Sequence, residues 1–138
     1  VSRFFVTPAL ERPRQPAYYN AVALLVTNVA PRQLKFDVLR HIERKLGRRR
    51  GPDKYAARTV DLDLLLYGAR VVREPDLVIP DPELTERPFL AAGILELDPE
   101  ILMPGTDTPL RDAVDTGAIN GLRVDGAFSR KMYERFMS

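Results

Sequence analysis

In the run from Arg58 to Leu66, Val60, Leu62, Leu64 and Leu66 alternate with Asp61, Asp63 and Leu65. A period of two in β-branched and aliphatic residues predicts a strand over 59–67. Residues i and i+2 of a strand share a face, so Asp61 and Asp63 project together, ~6.6 Å apart along the chain, while Val60, Leu62 and Leu64 fill the other face. Short strands are also predicted over 2–6 and 71–73, and a longer one over 18–28. Between 31 and 46 the period changes. Leu34, Val38, Leu39, Ile42 and Leu46 form an apolar stripe at helical spacing, opened by Pro31 and stopped by Gly47. Thr85 is the expected cap of a second helix reaching Leu97, with Phe89, Leu90, Ile94 and Leu95 inward. Residues 77–82 are extended, because each proline disfavours helix in the residue before it. A short helix is expected over 110–114 and a weak one over 129–138. Strands and helices mix without regular βα alternation, which predicts an α+β sandwich.

Composition narrows the class. The chain has 138 residues, enough for one domain with its own core. Net charge is only +2, so no general field draws the whole surface to nucleic acid. Arginines cluster instead, at Arg48-Arg49-Arg50 and Arg58, which favours local anion recognition. The absence of cysteine excludes disulfides and thiolate metal sites and is compatible with a reducing cytoplasm. The longest apolar run, 21–26, is too short to span a bilayer. Localisation is expected to be cytoplasmic, with neither membrane nor nucleic acid as a partner.

Two adjacent carboxylates repel unless a cation lies between them. Oxygen ligands on a strand suit Mg²⁺, which keeps several waters and shares its sites with substrate phosphates. Carboxylates beside guanidinium groups are the parts of a phosphoryl-transfer site. Read alone, the pair is more often a solvated strand face, and an arginine run is more often a solvated loop or a nucleic-acid contact.

Ala56-Ala57-Arg58-Thr59-Val60-Asp61-Leu62-Asp63-Leu64-Leu65 resembles the signature of the 6-hydroxymethyl-7,8-dihydropterin pyrophosphokinase family of folate synthesis. Three further segments resemble that family in the same order: Thr7-Pro8-Ala9-Leu10 with Gln15 to Ala21, Glu43 to Arg48, and Arg87-Pro88-Phe89. The resemblance covers about 1–112. It implies a ferredoxin-like α/β sandwich and transfer of a pyrophosphoryl group from ATP to the pterin hydroxymethyl group, releasing AMP. It implies that Asp61 and Asp63 hold two Mg²⁺ ions, and that Arg48, Arg50 and Arg58 grip phosphate oxygens on a closing loop. Glu43, Tyr55, Leu64, Asp81 and Arg87 would border the nucleotide. Tyr18 and Phe89 would stack on the pterin ring, Asn20 would read its amide edge, and Thr7, Pro8 and Leu10 would line its pocket. The partners implied are these small molecules, with the protein a monomer or weak homodimer.

Two departures stand out. The family's first strand and helix, with a Gly-Ser-Asn segment, lie upstream of the position of Val1, so the expectation is an N-terminally truncated single domain over 1–138. The tail beyond Thr116 is expected to be a poor strand source, because of Gly117, Gly121 and Gly126. Asp81 stands where the family has a histidine that contacts ATP phosphate. Both departures keep open a non-catalytic pterin- or nucleotide-binding remnant. A small nucleic-acid-binding module would instead place aromatics among the basic residues on an exposed sheet.

Overall fold

The computed structural model describes residues 1–7, 18–47 and 60–137. Helices combine with antiparallel sheets, as the mixed periodicity predicts. Strand β1 (Phe5–Thr7) is central to a three-stranded sheet in the order β2-β1-β5, with β2 at Tyr18–Asn20 and β5 at Arg123–Val124. A separate hairpin pairs β3 (Val72–Glu74) with β4 (Leu77–Ile79), placing Val72 opposite Ile79. Strand β2 is much shorter than the predicted 18–28. Beyond it, Ser2 N–H donates to the Val22 carbonyl at 2.8 Å, and residues 24–26 are exposed.

The first helical stretch starts at Pro31 as predicted, as α1 (Pro31–Gln33), and ends as α2 (Arg40–Lys45). Gly47 closes it with φ +91°, a left-handed backbone that only glycine adopts without strain. Between α1 and α2, Leu34–Leu39 is wound as a π-helix, and Arg40 N–H reaches the carbonyl of Lys35, five residues back. This corrects the predicted stripe. A wider turn takes in an extra residue, so the buried positions fall at Leu34, Leu39 and Glu43, spaced five and then four apart. Ile42 and Leu46, predicted as core, are exposed.

The second helix also differs from expectation. Thr85 is not its cap. It ends a 3₁₀ turn, Pro82–Thr85, and α3 begins afresh at Pro88–Leu97. The reason is Pro88, which holds Arg87 in an extended conformation (φ −111°, ψ 104°) and breaks the two apart. Helix α3 is the hub of the core: Phe89, Leu90, Ala91, Ala92 and Ile94 are buried with Phe5, Leu84 and Leu110. Gly93 lets Val22 approach closely. A Cβ built at Gly93 would lie 2.4 Å from Val22 Cγ2.

The tail supplies more than expected. Leu110–Asp112 is the short helix, of 3₁₀ type. Asp115 caps α4 (Thr116–Asn120) through Gly117 N–H at 2.9 Å. Strand β5 then pairs with β1, Phe5 opposite Val124, and α5 (Gly126–Met137) follows. The glycines leave room for a strand of only two residues, which Gly121 and Gly126 flank without interrupting it. Among the described residues no helix is long and apolar enough to cross a membrane.

Candidate active site

The alternation over 60–64 holds in space. Asp61 and Asp63 are exposed, and Val60, Leu62 and Leu64 are half-buried beneath them. The segment is anchored at its far end by Leu65 and Leu66, which pack on the core. The predicted strand is not formed, however, since no residue of 60–67 belongs to a ladder. Other bonds hold the backbone. Leu62 N–H donates to Glu43 Oε2 at 3.0 Å, and the Leu65 carbonyl accepts from Asp81 N–H at 2.9 Å. Glu43 is 4% exposed, so the π turn delivers a buried carboxylate to the peptide between the two aspartates.

The electrostatics are one-sided. Partial desolvation raises the Asp63 carboxyl above the ordinary carboxylate range, and Asp61, Asp81, Glu83 and Glu43 push it further the same way. Asp81, where the resemblance expects a histidine, uses its own Oδ1 to accept Glu83 N–H at 2.9 Å and cap the 3₁₀ turn. That role was legible in Asp81-Pro82-Glu83, a cap residue followed by proline. Glu43's role had no sequence signal, because a regular helix would have turned Ile42 inward instead. Arg87 lies over the Phe89 ring at 4.7 Å, with Glu83 at 3.7 Å. Phe89 itself is 7% exposed, within the core.

On the sheet, Thr7 lies opposite Tyr18 and Phe5 opposite Asn20, so these four side chains share one face. Asn20 Nδ2 donates to Thr7 Oγ1 at 2.7 Å, and Tyr18 is exposed. Pro8, Leu10, Arg48, Arg50, Tyr55 and Arg58 lie outside the described residues. Among the described residues no group of three or more acidic or histidine side chains is arranged to hold a metal ion by itself.

A family model described as 7,8-dihydro-6-hydroxymethylpterin-pyrophosphokinase (HPPK) matches residues 1–99. The chain belongs to the HPPK family. Its relatives include the 2-amino-4-hydroxy-6-hydroxymethyldihydropteridine pyrophosphokinase of a Synechocystis species, 38% identical over 122 residues, 83% of this chain and 62% of the relative. The protein of the same name from Haemophilus influenzae is 34% identical over 105 residues, 76% of this chain and 64% of the relative. The folic acid synthesis protein fol1 of Pneumocystis carinii is 39% identical over 92 residues, 67% of this chain and 12% of that longer protein. The chain thus spans 12–64% of the length of these three relatives. The HPPK match takes in the acidic segment, Glu43 and β2, whereas β5 and α5 lie beyond its end at residue 99.

Proposed function

We propose that the chain carries out pyrophosphoryl transfer from ATP to 6-hydroxymethyl-7,8-dihydropterin, a step of folate synthesis, in the cytoplasm and as a monomer or weak homodimer. The observation that carries this reading is the exposed pair Asp61 and Asp63 on a core-anchored segment, inside a cluster of carboxylates that leaves Asp63 reluctant to ionise. Oxygen donors with an excess of negative charge fit a hard divalent cation, and the pair fits Mg²⁺ shared with substrate phosphates. Mg²⁺ held by Asp61 and Asp63, two ions in this reading, supplies positive charge against the phosphate oxygens.

In the reaction the pterin hydroxyl oxygen attacks the β-phosphorus of ATP. The bond from that phosphorus to the oxygen bridging to the α-phosphate breaks, AMP leaves with that oxygen, and the hydroxyl proton is lost. Arg48, Arg50 and Arg58 would neutralise the phosphate oxygens and hold the reacting atoms in line. Glu43, Tyr55, Leu64, Asp81 and Arg87 border the nucleotide in this reading. Thr7, Pro8, Leu10, Tyr18, Asn20 and Phe89 take the pterin in this reading, with Tyr18 stacking on the flat ring and Phe89 backing the pocket from the core. The bond from Asn20 to Thr7 supports this assignment, because it fixes the amide in one orientation.

We read 1–138 as one domain, supported by the pairing of β5 near its end with β1 near its start. The antiparallel sheet, with α3 packed in the core beside Phe5, supports a ferredoxin-like sandwich. An assay of AMP formed from ATP and 6-hydroxymethyl-7,8-dihydropterin with Mg²⁺ tests the activity. Turnover is expected from the full-length protein, and loss of turnover with retained fold from Asp63→Ala. A full-length protein that forms no AMP would overturn the proposal.

A further inference from the structure

Strand β2 carries two of the residues read as binding pterin, yet it is three residues long and lies at the edge of its sheet. Its front face presents Tyr18 and Asn20, and its back face presents Tyr19. The back face is covered by the end of the chain. The Phe128 ring stacks on Tyr19, with centroids 4.2 Å apart and planes 23° apart, and meets Phe4 edge-on at 5.2 Å. Tyr19 OH donates to Asp125 Oδ2 at 2.9 Å, while Asp125 Oδ1 accepts Phe128 N–H at 2.9 Å. The same carboxylate therefore caps α5 and fastens it to β2. Ser129 closes the grip, its Oγ accepting Phe4 N–H at 2.8 Å and donating to the Asp125 carbonyl at 2.6 Å. Asp125 N–H in turn donates to the Phe4 carbonyl at 3.1 Å. All these groups of the tail lie beyond residue 99, where the family match ends.

We infer that α5 is a positioning element for the pterin, in which Phe128 and Asp125 hold the back of β2 at Tyr19 and thereby fix Tyr18 and Asn20 on the front. This rests on the proposed function, since it takes Tyr18 and Asn20 as the pterin-side residues. The acidic segment receives none of these contacts. Loosening α5 is therefore felt at the pterin and not at the nucleotide. A misplacement of about 1 Å caused by a change far from the chemistry can cost as much as about 100-fold in rate.

The test compares the full chain with Phe128→Ala, Phe128→Tyr and Tyr19→Phe, measuring KM for pterin, KM for ATP and kcat. Phe128→Ala should raise the pterin KM about tenfold with the ATP KM within about twofold of the parent, and Phe128→Tyr, which keeps a ring, should restore it. Tyr19→Phe removes only the exposed hydroxyl bond and keeps the stack, so it stays folded. It should raise the pterin KM about twofold to threefold. An unchanged pterin KM in both Phe128→Ala and Tyr19→Phe overturns the inference while leaving the proposed activity standing. So does an equal rise in both KM values, the mark of a merely structural role. A parent chain that neither forms AMP nor binds the pterin by calorimetric titration overturns both.

Discussion

Replacing Glu43 by alanine removes the acceptor of Leu62 N–H, a 3.0 Å bond from a side chain that is only 4% exposed. Water has little access to replace it. A hydrogen bond to a carboxylate contributes about 1.5–3 kcal/mol, and the stranded Leu62 N–H incurs a desolvation cost of similar size, which is the same loss seen from the other side. Taking about 2 kcal/mol, a domain of 138 residues should lose roughly 6–10 °C in melting temperature. Glutamine keeps an oxygen at the same place and removes one of the charges that oppose Asp63, so Glu43→Gln should cost about 1 kcal/mol or less. Because the bond lies at the peptide between Asp61 and Asp63, AMP formation should fall further in the alanine variant than in the glutamine one. Thermal melting followed by circular dichroism, beside the AMP assay, reads both effects. If Glu43→Ala melts within about 1 °C of the parent, or if glutamine costs as much as alanine, the anchoring role is wrong.

Gly93→Ala should destabilise by about 1–3 kcal/mol, since its Cβ would lie 2.4 Å from Val22 Cγ2; urea unfolding of the double variant with Val22→Ala should recover part of that loss, and strict additivity would argue against the contact. Asp63→Asn should raise the melting temperature by about 1–2 °C at neutral pH in metal-free buffer while abolishing turnover. The sign follows from the raised folded pKa of Asp63: ionisation costs stability as pH rises through that value, so the gain should vanish on acidification. Asp125 behaves oppositely. Phe128 N–H and Tyr19 OH hold its carboxyl below the usual range, with Arg123 acting the same way, so its contribution is present above the unfolded carboxylate pKa and lost as pH falls through the folded one. Melting curves of the parent and Asp125→Asn should therefore differ at pH 7 and converge as the pH falls through the folded pKa, which lies below the ordinary carboxylate value.

The amino-acid sequence by itself determined which side chains point outwards at the acidic pair, where the first helix begins and stops, and that Phe89, Leu90 and Ile94 are core. Each of these follows from local period, a proline or a glycine, and local chemistry acts whatever the rest of the chain does. Arg87-Pro88 also carried the break before α3, and Asp81-Pro82-Glu83 carried the cap. Three features were decided only by tertiary structure. Residues 60–64 alternate in exposure as their composition asks, but whether such a segment enters a ladder depends on which backbone lies beside it, and here Glu43 and Asp81 bond to its backbone. Strand β5 forms because β1, more than a hundred residues earlier, offers it an edge. Glu43 turns inward because Leu34–Leu39 is wound wide, a choice that apolar spacing cannot reveal. Local propensity sets the direction of a side chain relative to its own element, whereas partners distant in sequence set the winding of that element and what its backbone bonds.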